Sequence, residues 1–138
     1  MANIRSNQQG FTLLELLIAI SIFAIGLLSI ATMQITSIRT NSAANTMTAG
    51  SALAGGILEE ILAWQASDPR LAANSTNNNW DFDPGPSVLL TKTIVGGGQY
   101  TALYSVAVNY NGESKLSRIA VVVNGNGRSA TLVGFRRI

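Results

Sequence analysis

Cysteine and histidine are both absent from this chain. Without them there are no disulfides, no thiol nucleophile, no Cys/His zinc site and no imidazole base, so most hydrolase arrangements are excluded. Charge is scarce too, at 12% of residues with a formal net charge of +2, a balance too weak to form an electrostatic footprint for nucleic acid. Proline is limited to three residues, the first of them Pro69, so nothing interrupts a helix in the first half of the chain. Stability must come from packing and from neighbouring molecules.

The longest charge-free stretch, residues 16–38, has 23 residues, within the roughly 17–25 that a spanning helix needs. An ordinary secretory signal has an apolar core of roughly 7–15 residues followed by a small-residue cleavage site. This run is longer, and its small residue, Gly10, precedes it, so a retained anchor is expected. Arg5 and Arg39 flank the run with one cation each, which leaves the positive-inside signal nearly silent. Between those two arginines the only ionisable side chain is Glu15. A carboxylate in hydrocarbon costs several kcal/mol unless it meets a partner, so its presence there points to function. Cleavage after Gly10 would create an α-amino group close to that carboxylate.

Gly10-Phe11-Thr12-Leu13-Leu14-Glu15, followed by an unbroken apolar helix, resembles the class III signal of type IV prepilins and type II secretion pseudopilins. The resemblance implies that a membrane prepilin peptidase removes residues 1–10 by cutting between Gly10 and Phe11. It also implies that Phe11 is N-methylated and that Glu15 offsets the N-terminal amine of an adjacent subunit during assembly. Residues 11–39 would be the transmembrane and filament-core helix, and residues 40–138 a periplasmic or extracellular head. The implied location is the bacterial inner membrane, single pass with the head in the periplasm, and then a pilus or pseudopilus. Ala24-Ile25-Gly26-Leu27-Leu28, Met33-Gln34 and the segment ending Ile57-Leu58-Glu59-Glu60-Ile61-Leu62 are similar to the PilV-type minor pilins, or pilus modification proteins. Many major pilins bend this helix at a proline, where Thr32 and its neighbours offer none, and that favours a minor pilin.

Beyond the anchor, residues 41–67 contain no proline, and Leu53, Ile57, Ile61 and Trp64 recur at helical spacing. Ser67-Asp68-Pro69 should end the helix. Gly50, Gly55 and Gly56 weaken it by roughly 1 kcal/mol each relative to alanine, and could allow close approach of a helix or sheet, or mark a hinge. Residues 71–86 read as a loop crowded with Asn, Gly and Pro. Four β-rich runs follow, 88–95, 100–110, 115–123 and 129–135, separated by Gly96-Gly97-Gly98, Asn111-Gly112 and Asn124-Gly125-Asn126-Gly127. Tyr100, Ala102, Tyr104, Val106 and Val108 share one face. The expected fold is α+β and pilin-like, with the outer half of a long N-terminal helix packed on a four-stranded antiparallel sheet.

Other groups weigh less. Glu59-Glu60 and Asp81-Phe82-Asp83 lack the ligand spacing of a calcium loop and read as solvated surface. Trp80, Phe82 and Tyr100 read as core rather than an aromatic ligand platform, and Arg128, Arg136 and Arg137 as a basic cluster serving solubility rather than contact with a neighbouring subunit or anionic surface. No catalytic residue, cofactor, metal, nucleic acid or small-molecule ligand is expected. The expected partners are other pilin or minor pilin subunits, the prepilin peptidase and the inner membrane. A type II secretion minor pseudopilin, or a pilus-tip module for adhesion or DNA uptake, would share the membrane half.

Overall fold

A computed structural model describes residues 10–137; the expected leader, apart from Gly10, lies outside the described residues, and Arg5 with it. A helix, α1 (Leu13–Ala63), is followed by a short 3₁₀ turn at Pro69–Leu71. Five strands come next: β1 (Ser75–Asn79), β2 (Lys92–Ile94), β3 (Gly98–Ala107), β4 (Leu116–Gly125) and β5 (Arg128–Arg137). The chain divides into two compact units at Thr40 and Asn41.

In the first unit the apolar stretch of α1 is exposed on all sides. Its hydroxyls fold back on the helix: Ser21 donates to the Leu17 carbonyl at 2.8 Å, Ser29 to Ile25 at 2.9 Å, Thr32 to Ser29 at 2.8 Å and Thr36 to Thr32 at 3.0 Å. A hydroxyl satisfied in this way does not need water. The helix is long and apolar enough to cross a membrane, with a mean hydropathy of 2.6 over its most apolar window.

In the second unit, α1 packs on the sheet through the face that its spacing predicts. Ile57 and Ile61 are buried, and Leu53 and Trp64 are half-buried against the same core. Each fully buried aliphatic side chain of this size contributes roughly 1.5–3 kcal/mol. Gly50 and Gly55 face the sheet, where an added Cβ would touch Tyr100 at 3.5 Å and Leu132 at 3.9 Å respectively, so these glycines admit a close approach. Gly56 faces solvent with nothing within 4 Å. Gly56→Ala therefore keeps only the propensity benefit, and the urea midpoint of the folded head should rise by the equivalent of about 0.5–1 kcal/mol.

The sheet is antiparallel and ordered β1-β3-β4-β5, with β2 also paired to β3. It has five strands where four were expected, because part of the predicted 71–86 loop is β1. Strands β1 and β2 share one edge of β3: Lys92 to Ile94 lie opposite Tyr100 to Gly98, and Asn79 and Ser75 opposite Leu103 and Val106. The predicted 88–95 strand shrinks to Lys92–Ile94. Ser75–Asn79 pairs despite its composition because a register shift falls between Ser75 and Asn78. Asn77 there takes φ +54°, a left-handed conformation that asparagine tolerates, and its N–H donates to Ser105 Oγ at 3.1 Å.

Two boundaries also differ. The helix ends at Ala63 rather than Ser67, and a turn with Asp68 N–H bonded to the Gln65 carbonyl at 3.0 Å leads into the 3₁₀ segment. Strand β4 runs through Asn124-Gly125, so the hairpin turn is Asn126-Gly127 alone, with φ +50° and +72°, the signs that a two-residue type I′ turn requires. As the alternation predicts, Tyr100, Ala102, Tyr104 and Val106 are buried toward α1; Ile119, Val121 and Val123 of β4 join them.

Candidate functional site

The start of α1 is built by Thr12. It precedes the first helical residue, and its Oγ1 accepts the Glu15 N–H at 3.2 Å while its carbonyl accepts the Leu16 N–H at 3.2 Å. That makes Thr12 the N-cap and Glu15 the third helical residue, the Thr-x-x-Glu spacing of a capping box. Glu15 thus stands where the helix dipole favours an anion, worth about 0.3–1 kcal/mol. Gly10 and Phe11 precede the cap outside any helix or strand, Phe11 with 84% of its surface exposed. Gly10, Phe11, Thr12 and Glu15 line one open recess. Among the described residues no cation pairs with Glu15; the one ion pair is Arg70–Asp68.

The other charged candidates separate. Glu59 and Glu60 are exposed neighbours on α1, and among the described residues no group of three potential metal ligands assembles. Asp81 is not merely solvated. Its Oδ1 accepts the N–H of Asp83 at 3.1 Å and of Leu89 at 2.8 Å, bracing the loop from Trp80 to Thr91, which the Phe82 N–H closes on the Leu89 carbonyl at 2.9 Å. The three C-terminal arginines do not cluster, because alternation along β5 sends Arg136 to the helix side and Arg137 to the other. Arg128 lies eight residues from Arg136, beside Met47, with Nη1 3.9 Å from the sulfur.

An aromatic group that the sequence did not single out closes the far end of the core. Trp64 and Trp80 stack at 6.1 Å, and Tyr104 meets Trp64 edge-on at 5.7 Å and Trp80 at 6.1 Å. Trp80 is buried as expected, but Tyr100 is in none of these stacks. It lies where its hydroxyl reaches the carbonyls of Thr46 at 3.0 Å and Gly97 at 2.8 Å. The Arg70 guanidinium covers Trp64 at 3.5 Å and forms a two-point bond with Asp68, at 3.0 and 2.7 Å.

Hydrogen bonds from the Arg70 side chain and backbone hold the Asp68 carboxyl down to about 2 from an ordinary 3.8. The folded pKa lies below the unfolded one, so the benefit is present above pH ~4 and disappears as pH falls toward ~2. Asp68→Asn keeps an acceptor for the Arg70 N–H but loses the charge. The wild-type head should therefore resist urea better than this variant at neutral pH, with the gap closing between pH ~4 and ~2 in paired denaturation curves.

The family described as the prokaryotic N-terminal methylation motif matches residues 5–31. Comparisons with curated proteins and with solved structures return no match. The motif marks a precursor of the type IV pilin or pseudopilin type, a class of structural subunits, and the apolar helix and the α+β fold are consistent with that class.

Proposed function

We propose that this chain is a minor type IV pilin of the PilV type, a structural and assembly-priming subunit of a pilus and not an enzyme. It is made as a prepilin, cut by prepilin peptidase between Gly10 and Phe11, and N-methylated on Phe11. Residues 11–39 anchor it in the inner membrane and later form filament core, and residues 40–138 are the head on the periplasmic side. Its partners are other pilin or minor pilin subunits.

One observation carries this reading: a carboxylate with no ion-pair partner among the described residues, Glu15, stands at the head of an apolar helix of spanning length, just past a Gly-Phe bond. Helix-dipole stabilisation recovers only about 0.3–1 kcal/mol of the several that a charge in hydrocarbon costs. A cation must supply the remainder, and cutting at Gly10 makes one. The Phe11 amine of one subunit meets Glu15 of the next, the apolar helices move from lipid to protein neighbours, and the ion pair sets the axial register. Attraction of this kind is far stronger in a low-dielectric bundle than in water.

Intact-mass and N-terminal analysis of the membrane-extracted protein tests the reading. The expected polypeptide begins at Phe11 and carries one methyl group on its amine. A protein that keeps residues 1–10, or that has lost the apolar stretch, overturns it.

A further inference from the structure

The β2–β3 turn and the β4–β5 turn meet the first turns of α1 within the second unit. Asn45 Nδ2 donates to the Gly96 carbonyl at 2.9 Å, and Asn126 Nδ2 to the Gly97 carbonyl at 3.0 Å. Tyr100 clamps Gly97 to Thr46 through its hydroxyl. At the tip of this tied-down turn is Val95, with its side chain wholly exposed at 101%. Turn tips ordinarily carry Gly, Asn, Asp, Ser or Pro; a branched apolar side chain presented rigidly to the outside is out of place in water.

The β4–β5 turn is at the same end of the sheet, since Tyr100 lies opposite Gly125. There Met47 is half exposed, and beside it is Arg128, the one cation among residues 41–50, 94–98 and 124–130. Those segments contain no acid; the six carboxylates past residue 40 are Glu59, Glu60, Asp68, Asp81, Asp83 and Glu113. An exposed apolar tip, a thioether and an arginine without an acid suit the boundary between lipid head groups and acyl chains. Chain connection supplies proximity. Asn45 is seven residues beyond Ile38, the end of the apolar run, so the chain cannot carry it more than about 25 Å from that run.

We propose that this end of the head is a lipid-binding surface while the protein is membrane-held: Val95 enters the interface of an anionic bilayer and Arg128 meets a head-group phosphate. The proposal rests on the membrane-anchored reading above. It gives the head a resting contact that must be released when the subunit leaves the bilayer.

The absence of cysteine makes the test clean. The full-length protein, with a single Val95→Cys, Ser114→Cys or Leu28→Cys substitution, is labelled with an environment-sensitive fluorophore and reconstituted in phosphatidylglycerol–phosphatidylcholine vesicles carrying nitroxide lipids. The probe at position 95 should emit at shorter wavelength than the probe at position 114, and shallow nitroxides should quench it. Adding Arg128→Glu should weaken that quenching in anionic vesicles and leave it unchanged in pure phosphatidylcholine. A probe at position 95 that behaves like the one at 114, while the Leu28 position is quenched by deep nitroxides, overturns the lipid contact alone. Failure to quench at Leu28 overturns the anchor, and the contact with it.

Discussion

Replacing Glu15 by Gln or Ala leaves the chain in the membrane and lowers its entry into a filament or priming complex by about a hundredfold, the equivalent of about 3 kcal/mol. Insertion does not suffer, because removing a carboxylate from an apolar helix removes a cost. On the pairing proposed above, assembly suffers because the neighbour's amine would enter the bundle without a counter-charge, and breaking one side of a buried pair costs more than the pair itself contributes. Glu15→Gln separates charge from shape: it keeps side-chain length and an acceptor, so an equal loss in both variants assigns the effect to the charge. Quantifying the variant in sheared filaments against the membrane fraction measures this. Wild-type incorporation of either variant would sink the pairing mechanism while leaving cleavage untouched.

The second large effect is on folding, and it comes from a glycine. Gly125 lies opposite Tyr100 in the β3–β4 ladder, and an added Cβ would overlap the Tyr100 ring and stand 3.0 Å from the Gln99 carbonyl oxygen. An aromatic ring laid over a cross-strand glycine is a known way of pinning register. The ring cannot step aside. It is 98% buried, with 2% of its surface exposed, and its hydroxyl is held between Thr46 and Gly97. Gly125→Ala should therefore destabilise the head by about 1–3 kcal/mol, as overpacking in a filled core does. The sign is opposite to that of Gly56→Ala, although each change adds one methyl group to a glycine. Urea denaturation of the two variants side by side would show it; equal midpoints would mean that the corner near Tyr100 is looser than its contacts imply.

What could be read from the sequence was what repeats. The spacing of Leu53, Ile57, Ile61 and Trp64 identified the packed face of α1, and alternation from Tyr100 to Val106 identified the buried face of β3, because burial imposes those periods directly. The Gly10–Glu15 motif was legible for a related reason: its chemistry is local. Strand β1 was not, since Ser75-Thr76-Asn77-Asn78-Asn79 has the composition of a loop and pairs through a bulge and the edge of β3. Two Asn-Gly pairs in succession gave no sign of which one turns; contact with Tyr100 decides, leaving Gly125 in the strand. Asp81 as a brace, and the separation of Arg136 from Arg137, depend on which groups tertiary structure brings near, and periodicity carries no such information. The counter-charge proposed for Glu15 is on another subunit, and no residue spacing within one chain can show it.

Strands β1 and β2 flank a gap in one ladder: the Trp80 N–H bonds to the Ala102 carbonyl at 2.9 Å, and Lys92 returns opposite Tyr100. Backbone thus leaves and rejoins the same edge two residues apart, so the segment in between is an insertion port with both lips fixed. Each doubling of its length costs only about 0.6 kcal/mol of closure entropy. Epitopes, tags or foreign recognition loops could be grafted there while the helix, the ladder order and the N-terminal chemistry stay as they are.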